Sequence, residues 1–235
     1  MFGKSLAASA AALTIALGAA AASAAPVTFT QLAGVTGGAI AATGVFRADL
    51  SGLSLGLISS VSIADSSFGI GGATGAFTGF DLDAVVISTI LITDASQVGS
   101  LVRAATLDFA NALLTGGAQR EPTDSALFGT SGGQANDGVA RLDAFDGVAS
   151  TATPDGFVSL GDGGVLAINL LASIPVSTPL YLYIGEVGSN GELAAASITI
   201  SSERVGVPEP FSLALLGIGL AGLGAVRARP SRATG

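Results

Sequence analysis

The sequence predicts an all-β protein: a jelly-roll-like β-sandwich framed by an N-terminal signal helix and a C-terminal transmembrane helix. Three observations carry that expectation. Glycine supplies 34 of the 235 residues, so the chain turns too often for long helices. Apolar runs in the body are short and bounded by Gly, Asp, Asn and Ser, as strands of sandwiches and barrels are. Helix-like apolar stretches are confined to the two ends and to one ambiguous region near residue 100.

Residues 1–24 read as a secretory signal. Lys4 is the basic head, Leu6 to Ala22 the apolar stretch, and Ala22-Ser23-Ala24 fits the small-x-small cleavage rule. The cut falls between Ala24 and Ala25, since one residue later would leave Pro26 at the new terminus.

The β-sandwich domain is expected over 25–202. Val27 to Gln31 is the first strand, followed by Gly44 to Leu50 and Leu57 to Ile63 with a Ser51-Gly52 turn between them. Ser66 to Gly79 is a Gly-rich loop; it lacks the Lys-Ser/Thr ending and following helix of a phosphate cradle. Phe80 to Ile90 is the clearest strand. Regular alternation puts Asp81, Asp83, Val85 and Ile87 on one face and Leu82, Ala84, Val86 and Ser88 on the other. Ala95 to Leu114 reads as a short helix or loop and then a strand, and Gly116 to Asp137 as a long polar connection. Val139 to Phe145 resumes as strand. Gly156 to Leu160 and Val165 to Leu171 flank Gly161-Asp162-Gly163-Gly164, a hairpin signal. Leu180 to Val187 and Leu193 to Ser201 flank Gly188-Ser189-Asn190-Gly191, a second one. Residues 202–206 form a brief linker.

Residues 203–235 hold the tail. Val207-Pro208-Glu209-Pro210 precedes sixteen uncharged residues, Phe211 to Val226, and then Arg227, Arg229 and Arg232. As a helix, 211–226 spans about 24 Å, slightly under a bilayer core of about 30 Å, which local thinning accommodates. Its glycines suit a membrane helix better than one in water. The arginines keep the terminus cytoplasmic. Pro208 and Pro210 hold Glu209 in an extended backbone open to an enzyme.

VPEP, then FSLALLGIGLAGLGAV, then the terminal arginines resemble the PEP-CTERM sorting signal. The basic end, Arg-Ala-Arg-Pro-Ser-Arg, departs mildly from an unbroken run. The resemblance implies export through the Sec translocon, a transient inner-membrane intermediate, and recognition of Pro208-Glu209-Pro210 by an exosortase. The destination it implies is the cell surface or extracellular matrix of a Gram-negative bacterium that secretes exopolysaccharide. In the body, FDLDAVVIS, LFGTSGG, GFVSLGDGGVLAINL and YLYIGEVGSNGE look like strings in PEP-CTERM exported proteins of unknown function, which implies a shared fold and no activity.

Composition narrows the chemistry. The chain contains no Cys, His or Trp. Disulfides, thiolate metal sites, the commonest general base and the commonest zinc ligand are therefore missing. Between the two end segments five arginines face sixteen carboxylates, a net charge of −11, which disfavours nucleic acid as a partner. Three carboxylates stand out. Asp81 and Asp83 point the same way from one strand start, and Glu186 shares a face with Leu182 and Ile184. Buried carboxylates must be paired, coordinated or at a strand end. Calcium, which takes several oxygens from acids and carbonyls, is the one cofactor these residues suggest, with the turn acids Asp143, Asp146, Asp155 and Asp162 as further donors. Solvated or Arg-paired acids are the simpler reading, without any cofactor.

The function expected is therefore a non-enzymatic exported surface or matrix protein. The alternative is a carbohydrate-binding or calcium-dependent adhesion module delivered by the same route. A secreted glycoside hydrolase using an acid pair is weaker, and a Ser nucleophile has neither a His partner nor a GxSxG setting.

Overall fold

A computed structural model describes residues 24–38, 41–66, 69–71, 73–148, 156–190 and 198–206. Of the signal segment only Ala24 is among them. The Pro208-Glu209-Pro210 motif, the expected membrane helix and the terminal arginines lie outside the described residues, as do Asp155 and the first half of the predicted Leu193 to Ser201 strand. Among the described residues no helix is long and apolar enough to cross a membrane.

The described chain is all-β, with short 3-10 turns. Strands β1 (Ala24–Val27), β4 (Leu57–Ala64), β6 (Leu113–Thr115), β7 (Thr130–Ser131), β8 (Gln134–Ala135), β10 (Val165–Pro175) and β12 (Ile198–Ser201) form one sheet in the order β1-β12-β4-β10-β6-β8-β7. Strands β2 (Thr30–Gln31), β3 (Thr43–Asp49), β5 (Asp81–Ser88), β9 (Val158–Ser159) and β11 (Tyr181–Val187) form the other, in the order β2-β3-β11-β5-β9. Every strand pairing in both sheets is antiparallel.

Apolar side chains of both sheets meet in one cluster. Ile58, Val61 and Ile63 of β4, Leu166, Ile168 and Leu170 of β10, and Ile198 and Ile200 of β12 enter it from the first sheet. Phe46 and Ala48 of β3, Leu82, Val85 and Ile87 of β5, and Leu182 and Ile184 of β11 enter it from the second. Each buried aliphatic side chain contributes about 1.5–3 kcal/mol, which is what a chain without disulfides has to work with. A smaller cluster, with Leu32, Val45, Val86, Ile92 and Tyr183 at its centre, covers the opposite face of the second sheet. Tyr183 donates its hydroxyl to the Ile90 carbonyl at 2.8 Å and accepts from the Ile92 amide at 3.0 Å, so its polar tip is satisfied in that cluster.

The strands expected at 44–50, 57–63, 80–90 and 180–187 are present as β3, β4, β5 and β11. Elsewhere the expectations need correction. Both predicted hairpins are absent as hairpins. β9 lies in the second sheet and β10 in the first, and β11 and β12 are likewise divided. The Gly161–Gly164 turn is a corner between sheets: Gly161 has φ +75°, and a Cβ on it would lie 2.8 Å from the Gly117 carbonyl carbon. The first expected strand is split, with β1 on β12 and β2 on β3. The polar connection at 116–137 contains β7 and β8, which pair with each other, and β8 also pairs with β6. Val139 to Phe145 is no strand. Leu142 sits at φ +54°, a left-handed conformation that interrupts the extended run, and its carbonyl accepts from the Val85 amide at 3.0 Å beside a single bridge between Ala84 and Asp143. The expected strand after residue 107 shrinks to β6, preceded by a 3-10 turn at Phe109–Asn111.

Residues 202–206 are not a free linker. Ser59 and Ser60 donate their hydroxyls to the Ser202 and Glu203 carbonyls at 2.7 and 2.8 Å. The Asn169 side chain brackets Val205, donating to its carbonyl at 3.1 Å and accepting from its amide at 2.8 Å. The chain leaving β12 is thus strapped across β4 and onto β10.

Candidate functional site: an open groove beside β5

β5 builds the site through an irregularity. Pairing with β11 runs regularly from Ser88 back to Ala84, opposite Gly185, and then jumps so that Glu186 faces Leu82. Asp83 is the extra residue of a β-bulge. The bulge changes which face the preceding residues occupy. Leu82 joins Val85 and Ile87 in the shared core, a correction to the regular alternation expected for this strand. Gly185 makes the bulge sterically possible, because a Cβ there would lie 2.9 Å from Phe145 and from Thr43 and 3.2 Å from the Asp83 Cβ.

Asp83 is 2 % exposed. Its Oδ2 accepts from the Thr43 hydroxyl at 2.6 Å and from the Gly147 amide at 3.1 Å, while Oδ1 has no hydrogen-bond partner. Burial pushes its pKa up to about 6, against hydrogen bonding from Thr43 and from the Gly147 and Asp146 backbone, and the charge of Asp146 adds to the rise. Asp81 accepts from the Ser159 hydroxyl, its neighbour across the β5–β9 pair. Glu186, 1 % exposed, lies opposite Leu82 on the core side of the sheet. The register therefore divides the three calcium candidates: Asp81 and Asp83 share one face, as expected, and Glu186 takes the other. Among the described residues no group of three or more acids is arranged to hold a metal ion. Asp65 was not singled out by its sequence context. It is 3 % exposed and accepts from the Phe80 and Gly163 amides at 3.0 and 2.9 Å, tying β5 to the corner before β10. The predicted signal-cleavage pair falls inside β1, where Ala24 faces Ser201 and Ala25 faces Ile200.

Beyond β9, the edge of β5 is covered piecemeal. Ala84 bridges Asp143 and Ser88 bridges Arg103, so two separate segments line one strand edge and leave a hollow between them. The hollow has a volume of about 530 Å³. Val86 is its floor, Val98, Leu101 and Val102 form one wall, and Phe145 forms the other, with Arg103 and Asp143 among its lining residues. Arg103 donates across the gap to the Asp143 carbonyl. On the far side of Arg103 a second hollow of about 300 Å³ continues past Thr106 to Leu171 and Ile174.

Both walls are fixed locally. The 3-10 turn Ala95–Ser100 begins with a capping box: Asp94 accepts from the Ser96 amide at 2.9 Å, and Gln97 accepts from the Asp94 amide at 3.1 Å. Hydrogen bonds from Ser96 hold the Asp94 carboxyl below the usual carboxylate range. The opposite wall is anchored by Asp83 through Gly147 and by the Gly38 amide, which donates to the Asp146 carbonyl at 2.6 Å. Arg103 lies 40 residues before Asp143 in sequence, Phe145 follows two residues later, and none of the three belongs to a motif.

No family model matches the chain, no curated protein matches it, and no solved structure matches its fold.

Proposed function

We propose that the chain is a non-enzymatic exported protein of the cell surface or extracellular matrix, sorted by an exosortase through Pro208-Glu209-Pro210. The observation that carries this reading is the tail: the Pro-Glu-Pro, the sixteen uncharged residues after it and the closing arginines resemble the PEP-CTERM signal. The signal-like front end is its logical counterpart, since a periplasmic processing site requires export first. The two sheets with their shared core are read as the layers of a jelly-roll-like β-sandwich. That body would be the cargo.

Two features of the described fold are compatible with this path. A cut between Ala24 and Ala25 leaves Ala25, Pro26 and Val27 paired with β12, so β1 survives as the mature N-terminus. The strap ends at Val205, held by Asn169. Pro208 is three residues further on, within about 11 Å of that anchor even when fully extended. The processing site would therefore lie close to the folded body.

Mass spectrometry of protein from an exopolysaccharide-secreting host, with and without its exosortase, tests the proposal. Loss of the residues after the Pro-Glu-Pro region, dependent on the exosortase, is the expected result. Extracellular material still ending in Thr234-Gly235, with a destination unaffected by scrambling Pro208-Glu209-Pro210, would refute it.

A further inference from the structure

We infer that the groove beside β5 is a binding site for a neutral polysaccharide chain, with Arg103 and Asp143 as its polar contacts and Phe145, Leu101 and Val102 as its apolar ones. The inference rests on the surface-export reading only in supplying such chains to the protein.

Shape comes first. The hollows on either side of Arg103, about 530 and 300 Å³, are in the size range of ligand sites, ~300–1,000 Å³. They lie on either side of Arg103, which lines both, and each is open to solvent, so a chain segment can rest in either one without entering an enclosed cavity. Val102 in the larger hollow is 65 % exposed and Leu171 in the smaller is 57 % exposed, so each offers exposed apolar carbon. The capping box at Asp94 and the Asp83–Gly147 bond hold the walls in place, which lowers the ordering cost of binding.

Charge then selects the occupant. Arg103 and Asp143 put a guanidinium and a carboxylate into the same groove. Arg103 spends a donor on the Asp143 carbonyl, which leaves further N–H groups of its five. Arg103 makes no salt bridge to a carboxylate among the described residues, unlike Arg120, which pairs with Asp162. Sugar hydroxyls donate and accept, so they satisfy both side chains at once, while the C–H faces of the rings lie on Phe145 and the aliphatic walls. A polyuronate would meet the Asp143 carboxylate and a body of net charge −11. A fatty chain would leave the guanidinium and carboxylate desolvated and unpaired. A neutral glycan incurs neither penalty.

The test titrates the full-length protein, by calorimetry, with cellohexaose, laminarihexaose, mannohexaose and chitohexaose, and with polygalacturonate as the anionic comparator. The variants are Arg103→Gln and Val102→Asp, both at exposed positions. Saturable binding of at least one neutral hexasaccharide is expected. Each variant should weaken it about tenfold, the equivalent of one hydrogen bond or of the contacts displaced by a charge, with the melting temperature unchanged. Binding of none of the four, equal binding by wild type and both variants, or tighter binding of polygalacturonate overturns the inference. The variants leave the tail intact. Absence of glycan binding by the wild-type protein with normal C-terminal processing therefore counts against the groove alone, and altered processing in the wild type counts against the export reading alone.

Discussion

Asp83→Asn should change how the stability of this protein depends on pH. Asp83 is buried at the β5 bulge, and its pKa rises from an ordinary 3.8 to about 6 because burial disfavours the charged form. Below about pH 4 the carboxyl is protonated in both the folded and unfolded chain and has no differential effect. Between about pH 4 and 6 the unfolded chain releases the proton while the fold retains it, so the unfolding free energy falls as pH rises. Above about pH 6 both states are ionised and the loss is complete. A shift of about two units corresponds to roughly 3 kcal/mol. Asparagine keeps a carbonyl oxygen for the Thr43 hydroxyl and the Gly147 amide but has no proton to lose. Urea unfolding of wild type and variant at pH 4, 5, 6 and 7 measures the difference directly and cancels contributions from the other acids. The variant should gain about 2.5 kcal/mol relative to wild type between pH 4 and 7, most of it by pH 6. A difference that stays constant across the series, within about 0.5 kcal/mol, would refute the assignment of a proton to buried Asp83.

Three further changes probe the strap and the sheet-to-sheet corner. Asn169→Leu removes both hydrogen bonds to Val205 and should cost about 2 kcal/mol; trypsin should then cut after Arg204 faster than in wild type, and unchanged cleavage would show that the strap is not held there. Arg120→Met deletes the contacts to Asp162, whose Nε–Oδ2 and terminal N–Oδ1 distances are 2.9 and 2.6 Å. Both side chains are mostly buried, so unfolding should be easier by about 1–3 kcal/mol, and a loss under about 0.5 kcal/mol in denaturant titration would mark the pair as inconsequential. Gly161→Ala forces a Cβ into the sheet-to-sheet corner at φ +75° against Gly117. A cost of about 2 kcal/mol should lower the melting temperature by about 4–8 °C in a chain of this size, and an unchanged transition would mean that the corner relaxes.

Local pattern located the strands, and tertiary pairing decided where they went. Thr43–Asp49, Leu57–Ala64, Asp81–Ser88 and Tyr181–Val187 are apolar runs bounded by turn residues, and such runs are legible in one dimension. The Gly161 and Gly188 turns have the composition of hairpin loops, but a Gly-rich turn permits a sheet-to-sheet corner as readily as a hairpin. The choice depends on which flanking strand finds an edge elsewhere. β10 pairs with β4 along most of its length, and β11 is held between β3 and β5; neither preference is written in the four turn residues. The end of the expected strand at Leu142 is also invisible, because leucine gives no sign of a left-handed backbone.

The misreading of β5 and the failure to foresee the groove have one origin. In FDLDAVVIS both faces turn apolar after Asp83, so a period-two pattern gives no sign of an inserted residue. Without the bulge, sending Val85 and Ile87 into the shared core would send Asp83 there too, bringing a second carboxyl to the side where Glu186 is already buried. The bulge resolves that conflict. It returns Leu82 to the core, turns Asp83 to the outer face where Thr43 and Gly147 donate to it, and needs a residue without a side chain opposite, which Gly185 supplies. The Gly147 bond in turn fixes the segment that carries Phe145 and Asp143 beside Val86. One inserted residue thus protects the core and anchors a wall of the groove, and a shift of Asp83 would be felt in both.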